Sequence, residues 1–337
     1  MIKSDYLKKL IARASEDKKT IVLPEGEDLR VLEAAHIITQ QKAVKVIILG
    51  DVEKIKKDFS ANGWSLEGIE LIYPQHSDKK ESYANLLFEA RKEKGMTLEE
   101  AQKTALDANY FGVLMVKAGD ADGMVSGANH STVDTVRPAL QIVKSKVKGK
   151  SVSSFVLMVS GGREFIFADC GIIPNPTDVE LADIAVDAAM NAKAFGLVPK
   201  VAMLSYSTFG SSKGPDVDRV VSATNIAKEI LAKEEYKNLG IELDGELQAD
   251  AALDVIVGQK KAPDSKVAGM ANVLVFPDLG SGNIGYKLLQ RLGGCEAYGP
   301  LLQGLNAPIN DLSRGALVED IVGVIAITAI QARSAAN

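Results

Sequence analysis

The sequence predicts an α/β protein with mostly parallel sheets. Short apolar, β-branched runs alternate with longer stretches in which apolar residues recur every three or four positions, a spacing typical of amphipathic helices. Turn-forming residues follow several of the apolar runs, at the strand ends where such folds place their ligand loops. The clearest helical stretches are Leu29–Gln40 and Asp178–Phe195. The predicted strands, in chain order, are Thr20–Leu23, Val44–Leu49, Gly123–Ser126, Phe155–Met158, Val201–Ser205 and Val273–Phe276.

Each predicted strand contains valine or isoleucine and is apolar along nearly its whole length. Near-continuous apolar runs of this kind are typical of parallel strands that helices cover on both faces. Turn signals end three of these runs, at Pro24–Gly26, Gly50–Asp51 and Pro277–Gly282. The alternation of such strands with helices therefore predicts the α/β class.

The composition predicts a globular protein of two domains. The chain has 337 residues, of which 46% are hydrophobic and 25% charged, with a formal net charge of −5. At roughly 100–200 residues per domain, this length is enough for two cores. An acidic chain lacks the basic face of nucleic-acid-binding proteins, and no apolar run approaches the ~20 residues of a membrane span. Because Cys170 and Cys295 also fit a reducing compartment, we expect a cytoplasmic protein with neither nucleic-acid nor membrane partners.

A lysine-rich stretch, residues 144–150, separates the first part of the chain from a new run of predicted strands. Such a charge run is typical of a solvated linker. This interpretation places a domain boundary near residue 147. The sequence shows no internal repeat, so a solenoid is not expected.

A loop rich in small hydroxyl residues follows the third predicted strand. It contains Ser126, Gly127, Ser131 and Thr132, and Arg137 follows about one and a half helical turns into the next helix. Hydroxyl and guanidinium groups are suited to donate hydrogen bonds to an anion. A plain capped helix would have the same residues up to Thr132. The loop therefore predicts an anion pocket, with the capped helix as the alternative.

A second candidate anion site is the G-x-G-x-x-G segment Gly280–Gly285. It follows the last predicted strand and precedes the helical pattern Tyr286–Leu292. Glycines allow a backbone to approach a phosphate closely, and a following helix supplies N–H donors. A dinucleotide site is weakly supported, because the nearest acid at the ribose-binding spacing, Glu296, follows no predicted strand. The segment therefore predicts a phosphate-binding loop.

A Ser-Arg-Gly turn precedes an apolar helix near the end of the chain. Asp320 follows Ser313 by seven positions, which is two helical turns, and Arg314 lies between them. Serine and arginine near a helix start are suited to donate to an oxyanion, with the carboxylate as general base. Capping by Ser313 and a surface position for Asp320 would give the same spacing, so the residues alone leave both interpretations open.

Three other patterns favour structural roles. Gly210–Gly214 matches G-x-S-x-G, but no histidine follows it as the hydrolase motif requires, so we expect a surface loop. Asp250 and Asp254 would share a helix face and could hold a divalent cation, although a solvated face or an N-terminal capping charge is the favoured interpretation. His130 is a candidate ligand contact, but the histidines lack metal-ligand spacing. No metal site is therefore predicted.

Six long sequence blocks occur in a fixed order along the chain: Ile21–Val31, Ala121–Gly127, His130–Pro138, Lys261–Ser265, Val275–Lys287 and Leu312–Gly315. With these blocks the sequence closely resembles the bacterial phosphate acetyltransferase family, from about residue 18 to residue 333. The resemblance implies the reversible conversion of acetyl-CoA and phosphate into acetyl phosphate and CoA. It also implies the short form of the family, without the long N-terminal regulatory extension of some members.

The resemblance carries expectations about architecture. It implies an isocitrate/isopropylmalate dehydrogenase-like fold, in which two α/β domains surround a cleft, and a homodimer. In that family the C-terminal segment returns to the first domain. Domain I would then comprise residues 1–146 and 300–337, and domain II would be an insertion of residues 147–299.

The resemblance also implies roles for individual residues. Position by position, the catalytic aspartate falls on Asp320, the essential arginine on Arg314 and the transition-state serine on Ser313. Asp320 would accept the CoA thiol proton, and the thiolate would attack acetyl phosphate directly in a ternary complex, with no metal and no tightly bound cofactor. The CoA-contacting arginines and the other expected substrate-binding residues are Arg91, Arg137, Arg291, Ser126, Gly127, Ser131, Thr132, Gly282, Asn283 and Tyr286.

Three alternatives remain open at this point. A phosphate butyryltransferase would differ only in the pocket for the acyl chain. A metal- and NAD-dependent decarboxylating dehydrogenase on the same superfold would use Asp250, Asp254 and the glycine segment. A non-catalytic module that binds CoA or acyl phosphate would be favoured by loss of Ser313, Arg314 or Asp320, and all three are present.

Overall fold

The computed structural model describes residue 2, residues 4–147 and residues 149–335 of the chain. Within this part, the strands β1 to β11 are Thr20–Leu23, Lys45–Leu49, Ile69–Ile72, Gly123–Ser126, Ser153–Ser160, Arg163–Ala168, Lys200–Leu204, Glu242–Leu247, Val273–Val275, Glu296–Gln303 and Ile309–Asp311. The helices α1 to α14 are Asp5–Ser15, Leu29–Gln40, Val52–Ala61, Lys80–Arg91, Leu98–Thr104, Ala108–Ala118, Thr132–Pro138, Asp178–Ala194, Pro215–Leu231, Glu234–Lys237, Ala249–Leu253, Val255–Lys261, Leu279–Leu292 and Val318–Ala335. None of the described helices combines the length and the hydropathy that a membrane span requires.

All six predicted strands are present, with ends displaced by two residues at most. The helix prediction Leu29–Gln40 is confirmed, and α8 ends one residue before the predicted Phe195. Both helices begin where the sequence supplies a cap: Asp28 precedes α2, and Thr177 forms a capping box with Glu180 at the start of α8. A side chain that accepts an otherwise unpaired N–H of the first turn stabilises a helix start. Five strands, β3, β6, β8, β10 and β11, were not predicted.

The chain divides into two compact units. The first unit comprises the residues up to Lys146 together with those from Leu305 onward. Its five-stranded sheet is wholly parallel, in the order β11-β4-β1-β2-β3. Helix α14 packs against β4 and α2, and its residues 321–330 are buried. The register of the parallel sheet places Asp311, at the end of β11, opposite Ser126, at the end of β4.

The second unit comprises Val147–Gly304 and contains a six-stranded sheet in the order β10-β5-β6-β9-β7-β8. Strand β5 pairs antiparallel with β10 and β6, whereas β6, β9, β7 and β8 are parallel. The described fold is thus α/β with mostly parallel sheets. The boundary that the resemblance implies at residue 299 falls inside β10, which pairs with β5 as far as Gln303.

The lysine-rich stretch is not solvated throughout its length, contrary to the prediction. Lys150 Nζ lies 2.9 Å from Asp187 Oδ1 and 3.4 Å from Asp183 Oδ1 on α8, and only 14% of the Lys150 side chain is exposed. Lys148 lies outside the described residues. The prediction failed at Lys150 because a run of charges looks the same whether its lysines face water or carboxylates from a later helix.

Candidate active site

The loop after β4 is built on buried polar contacts. Ser126 is buried, and its hydroxyl donates to Asn109 Oδ1 at 2.7 Å. The Leu312 N–H donates to the Ser126 carbonyl at 2.7 Å, which joins this loop to the segment after β11. Gly127 has a φ of +108°, and a Cβ there would overlap the Asp311 carboxylate. Ser126 and Gly127 therefore shape the loop from inside, and neither presents the exposed donor that the sequence predicted.

Glu25, which follows β1, holds the loop after β4 in place. Its buried carboxylate accepts the N–H groups of Ala128 at 2.9 Å, Asn129 at 2.8 Å and His130 at 3.0 Å. His130 Nδ1 also lies 2.8 Å from this carboxylate. Burial opposes protonation of His130, but the hydrogen bond to Glu25 raises the pKa of His130 overall. His130, which the sequence singled out as a ligand contact, is thus held by a carboxylate of the protein itself.

Arg30 on α2 connects the two segments that carry the predicted site residues. Its guanidinium donates to the carbonyl of Ala128 at 3.0 Å in the loop after β4. It also donates to the carbonyls of Arg314 at 2.9 Å and Ala316 at 3.0 Å in the turn after β11. An ion pair of 2.6 Å with Asp28 fixes the guanidinium. Arg30 and Glu25 occur in the sequence block Ile21–Val31, which carries the resemblance, but nothing in the sequence indicated a role for either residue.

The turn after β11 presents two of the predicted catalytic residues. Ser313 and Arg314 are exposed, and Asp320 is half-buried. Because α14 begins only at Val318, Asp320 lies in its first turn, where Asp320 Oδ2 accepts the Leu317 N–H at 2.9 Å. The expectation that two turns of one helix separate Ser313 from Asp320 is therefore wrong. The serine and the arginine belong to the turn, and the carboxylate belongs to the helix that follows it.

A buried carboxyl that the sequence analysis missed lies at the end of β11. Thr132 Oγ1 donates to Asp311 Oδ2 at 2.7 Å. Burial raises the pKa of Asp311 to about 6, the Thr132 hydroxyl opposes this rise, and the Glu25 carboxylate adds to it. The Ser131 hydroxyl donates to Asp134 in a capping box. The predicted hydroxyl loop thus contains a capped helix start, in which Thr132 is exposed and linked to Asp311.

Two of the three predicted CoA-contacting arginines belong to the first unit. Arg91 ends α4 and is half-buried, whereas Arg137 is exposed on α7. Burial raises the pKa of Tyr110, and both guanidiniums oppose that rise. Helix α6, which carries Tyr110, packs against both α4 and α7, the helices that carry the two arginines.

In the second unit, the G-x-G-x-x-G segment is helical. Helix α13 begins at Leu279, and Asp278 caps it by accepting the Ser281 N–H at 2.8 Å. Gly282 lies so close to the Asp169 carbonyl that a Cβ would overlap it. The segment is therefore the start of a helix and not a loop, and Gly282 permits close packing; phosphate binding by this segment stays a prediction.

The other predicted residues of α13 have mixed surroundings. Asn283 Nδ2 donates to the Cys170 carbonyl at 3.0 Å. Tyr286 is buried, and burial raises the pKa of its phenol. Arg291 is exposed near the end of the helix. Of the residues predicted on α13, Arg291 therefore presents a charged donor to solvent, while Asn283 and Tyr286 contact the protein.

The remaining motifs have structural partners. Gly210–Gly214 lies in the loop between β7 and α9, as expected, and Glu246 accepts the Gly210 N–H at 2.7 Å. Asp250 forms an ion pair of 2.8 Å with Lys261, and Asp254 caps α12. Helix α11 ends before Asp254, so the two aspartates do not share a helix face. Among the residues that the structure describes, no group of three or more His, Cys, Asp or Glu is placed to hold a metal ion.

The first unit therefore gathers arginine, hydroxyl and carboxyl side chains at the carboxyl ends of a parallel sheet. In open α/β sheets, ligands bind outside the carboxyl ends of the strands. A sequence model of the family described as "Phosphate acetyl/butaryl transferase" matches residues 5–329. The chain belongs to this family of acyltransferases.

Individual relatives agree with the family assignment. The chain is 50% identical over 335 residues to a phosphate acetyltransferase of Acetivibrio thermocellus, which covers 97% of this chain and 98% of the relative. A solved phosphotransacetylase of Streptococcus pyogenes superposes with a TM-score of 0.90 at 48% identity, over 98% of this chain and 99% of that one. The EutD phosphotransacetylase of Staphylococcus aureus superposes with a TM-score of 0.89 at 46% identity, over 97% and 99% of the two chains.

Proposed function

We propose that this protein is a phosphate acetyltransferase that interconverts acetyl-CoA and phosphate with acetyl phosphate and CoA. The observation that carries the proposal is the turn after β11, which exposes Ser313 and Arg314 directly before the half-buried Asp320. Membership of the acetyl/butaryl transferase family supports the reaction class. The reaction balances with CoA, acetyl phosphate and phosphate alone, so we propose no metal and no tightly bound cofactor.

Asp320 acts in this proposal as the general base toward CoA. A free thiol has a pKa near ~8.5 and is a weak nucleophile until it loses its proton. The Asp320 carboxylate accepts that proton, and the thiolate attacks the acetyl carbonyl of acetyl phosphate. The position of Asp320 in the first turn of α14, on a helix buried along most of its length, supports the role, because a buried helix fixes the carboxylate.

Arg314 and Ser313 stabilise the charge that moves during the transfer. The guanidinium of Arg314 can bind two phosphate oxygens at once and balance the charge of the departing phosphate. Ser313 donates to the oxyanion that forms on the acetyl carbonyl, a contribution typically worth about 3–4 kcal/mol. The hydrogen bonds from Arg30 to the carbonyls of Arg314 and Ala316 support these roles, because they hold the turn in one conformation.

The substrate phosphates are assigned to the exposed donors. We propose that Arg91 and Arg137 bind phosphates of CoA, which the packing of their helices, α4 and α7, against the same helix α6 supports. Arg291 is proposed as a further CoA contact on the second unit, and Thr132 as a donor to the phosphoryl group. The other predicted substrate-binding residues stay part of the proposal, and each also contacts its own unit: Ser126, Gly127 and Ser131 in the first unit and Gly282, Asn283 and Tyr286 in the second.

The protein is further proposed to be a cytoplasmic homodimer. Helix α13 supports dimerisation, because Ile284, Leu288 and Leu292 recur every four residues on one face and are 61%, 52% and 83% exposed. Both cysteines, Cys170 and Cys295, are free thiols, which supports a reducing compartment.

Acetyl and butyryl donors distinguish the two activities in the family description. Purified protein is mixed with CoA and either acetyl phosphate or butyryl phosphate, without metal or nicotinamide, and thioester formation is followed by absorbance. We expect a higher kcat/KM with acetyl phosphate. A higher kcat/KM with butyryl phosphate would replace the acetyl by the butyryl assignment. Absence of thioester from both donors would contradict the proposed function.

A further inference from the structure

We propose that Asp311 is a positioning residue, whose carboxyl sets the direction in which the Thr132 hydroxyl donates and so controls how acetyl phosphate is held. The inference rests on the proposed function. Asp311 is only 3% exposed, whereas its hydrogen-bond partner Thr132 is exposed at the start of α7. One hydroxyl thus connects a buried carboxyl with the surface on which the phosphoryl group is proposed to bind.

The two oxygens of Asp311 have different surroundings. Oδ2 accepts the hydrogen bond from Thr132 Oγ1 at 2.7 Å. Oδ1 is buried, and no donor within the described part of the chain reaches it. The backbone of Gly127 packs directly against this oxygen. A buried anionic oxygen without a donor is unfavourable, so this geometry makes Asp311 easier to protonate than an exposed aspartate.

The groups around Asp311 act in opposite directions, and burial has the largest effect. Burial raises the pKa of Asp311 to about 6 and the Glu25 carboxylate adds to the rise, whereas the Thr132 and Thr135 hydroxyls and the Leu312 N–H oppose it. The Thr135 hydroxyl is buried close by but outside hydrogen-bonding geometry. The charged groups on the segments around Asp311 are Asp134 and Arg137 on α7, Glu319 and Asp320 on α14, Glu25 and His130 around the loop, and Arg30 and Arg314 around the turn.

Protonation of Asp311 reverses the hydrogen bond to Thr132. When Asp311 is ionised, Thr132 donates its one hydroxyl proton to the carboxylate and offers only lone pairs to a phosphoryl oxygen. When Asp311 has taken a proton from solvent, its O–H donates to Thr132 Oγ1, and the Thr132 proton is released to donate to the phosphoryl oxygen. Binding of acetyl phosphate is therefore coupled to the uptake of one proton by Asp311.

A calorimetric titration tests this coupling on the wild-type protein. Acetyl phosphate is titrated at pH 7 without CoA, in two buffers that differ in ionisation enthalpy, so that the number of protons taken up is measured directly. We expect an uptake approaching about one proton per site, because most Asp311 is ionised before binding at this pH. The Asp311→Asn variant should take up none. Binding by wild type without proton uptake would overturn the inference.

The variant also tests the direction of the hydrogen bond. In Asp311→Asn the amide N–H donates to Thr132 at every pH, so the KM for acetyl phosphate should stay flat from pH 6 to pH 8. In wild type the KM for acetyl phosphate should rise over this range, by no more than about tenfold per pH unit.

Two control variants use the same dependence of KM on pH. Thr132→Ser should keep the wild-type dependence. In a Thr132→Val background, Asp311→Asn should leave the profile unchanged. A parallel rise of KM in wild type and Asp311→Asn would contradict the inference.

A third measurement needs no turnover and separates this inference from the proposed function. The pKa of Asp311 is raised on folding from 3.8 to about 6, so its neutral form favours the native state at low pH and this contribution is lost as the pH rises through 6. Without substrate, the Tm of Asp311→Asn should therefore exceed that of wild type more at pH 8 than at pH 5. A constant difference would overturn the inference. A protein that shows the predicted Tm pattern but forms no acetyl-CoA would refute the proposed function instead.

Discussion

Two glycine-containing segments follow strands, one in each unit, and they fold differently. The segment after β4 begins with Gly127 and stays irregular, whereas the segment after β9 is helical from Leu279. The backbone N–H groups of the two segments donate to different acceptors. Glu25 accepts three consecutive N–H groups of the first segment, while Asp278 caps the second, whose later N–H groups bond within the helix. A buried carboxylate that follows another strand therefore accepts the N–H groups that would otherwise bond within a helix, and the first segment remains a loop.

This difference determines what each segment offers to a ligand. The first segment and the neighbouring turn leave Thr132, Ser313 and Arg314 exposed at the ends of parallel strands. The second buries Gly282 and Tyr286 against its own unit. On this basis we expect substitutions around the first segment to change the chemistry or the loop, and substitutions at the start of α13 to change packing.

The largest effect is expected from Asp320→Asn. The amide cannot accept the thiol proton, so turnover should fall by about 10²–10⁴-fold, while CoA affinity stays within about twofold of wild type. Steady-state kinetics and a binding titration with CoA measure the two quantities. Glu319→Gln, one residue earlier on α14, is the matched control and should retain turnover. A large loss of CoA affinity with turnover preserved would refute the base assignment.

A smaller effect is expected from Glu25→Gln, which weakens the anchor of the first segment. A glutamine can accept N–H groups on only one oxygen, and its own amide hydrogens face the donors of residues 128–130. The free energy of unfolding should fall by about 2–3 kcal/mol, measured by urea denaturation. Glu27→Gln, at an exposed position nearby, should change it by less than about 0.5 kcal/mol. Equal changes in the two variants would show that Glu25 does not anchor the loop.

The smallest effect is expected from Gly282→Ala in the second segment. The new methyl group overlaps the Asp169 carbonyl, which is backbone and cannot turn aside. Overpacking of this kind costs about 1–3 kcal/mol, partly offset by about 1 kcal/mol of helix propensity. A methyl group added at Gly280 would instead lie nearest to the Asp278 side chain. Because a side chain can turn aside, Gly280→Ala should be less destabilising than Gly282→Ala. Thermal denaturation compares the two, and a Gly280→Ala variant less stable than Gly282→Ala would contradict the packing role.

The fold was predictable from the sequence where strands are buried on both faces. Four of the five strands that were missed, β3, β11, β8 and β10, are the edges of the two sheets. An edge strand has a neighbour on one side only and tolerates polar residues, as the run Glu-Leu-Asp-Gly-Glu-Leu of β8 illustrates. A search for continuous apolar runs therefore finds the centre of each sheet and misses its borders.

The candidate site was predictable where its residues are neighbours in sequence. The turn residues and Asp320 lie within one short stretch and could be considered together. Glu25 and Arg30 could not, because they contact segments 103 and 284 residues away, and neither residue type reveals such a partner. Nothing in the sequence marked Asp311, since the strand that it ends was not predicted either, and only its burial beside Gly127 distinguishes it.

In the proposed mechanism, the CoA thiolate attacks acetyl phosphate directly on the first unit, with both substrates bound together. The most direct test is the exchange of isotopically labelled phosphate into acetyl phosphate, measured with and without CoA. Direct transfer predicts exchange only when CoA is present, since the acetyl group must move to the thiol before labelled phosphate can receive it. Exchange in the absence of CoA would show that the acetyl group passes through a covalent acyl-enzyme, and would contradict the account.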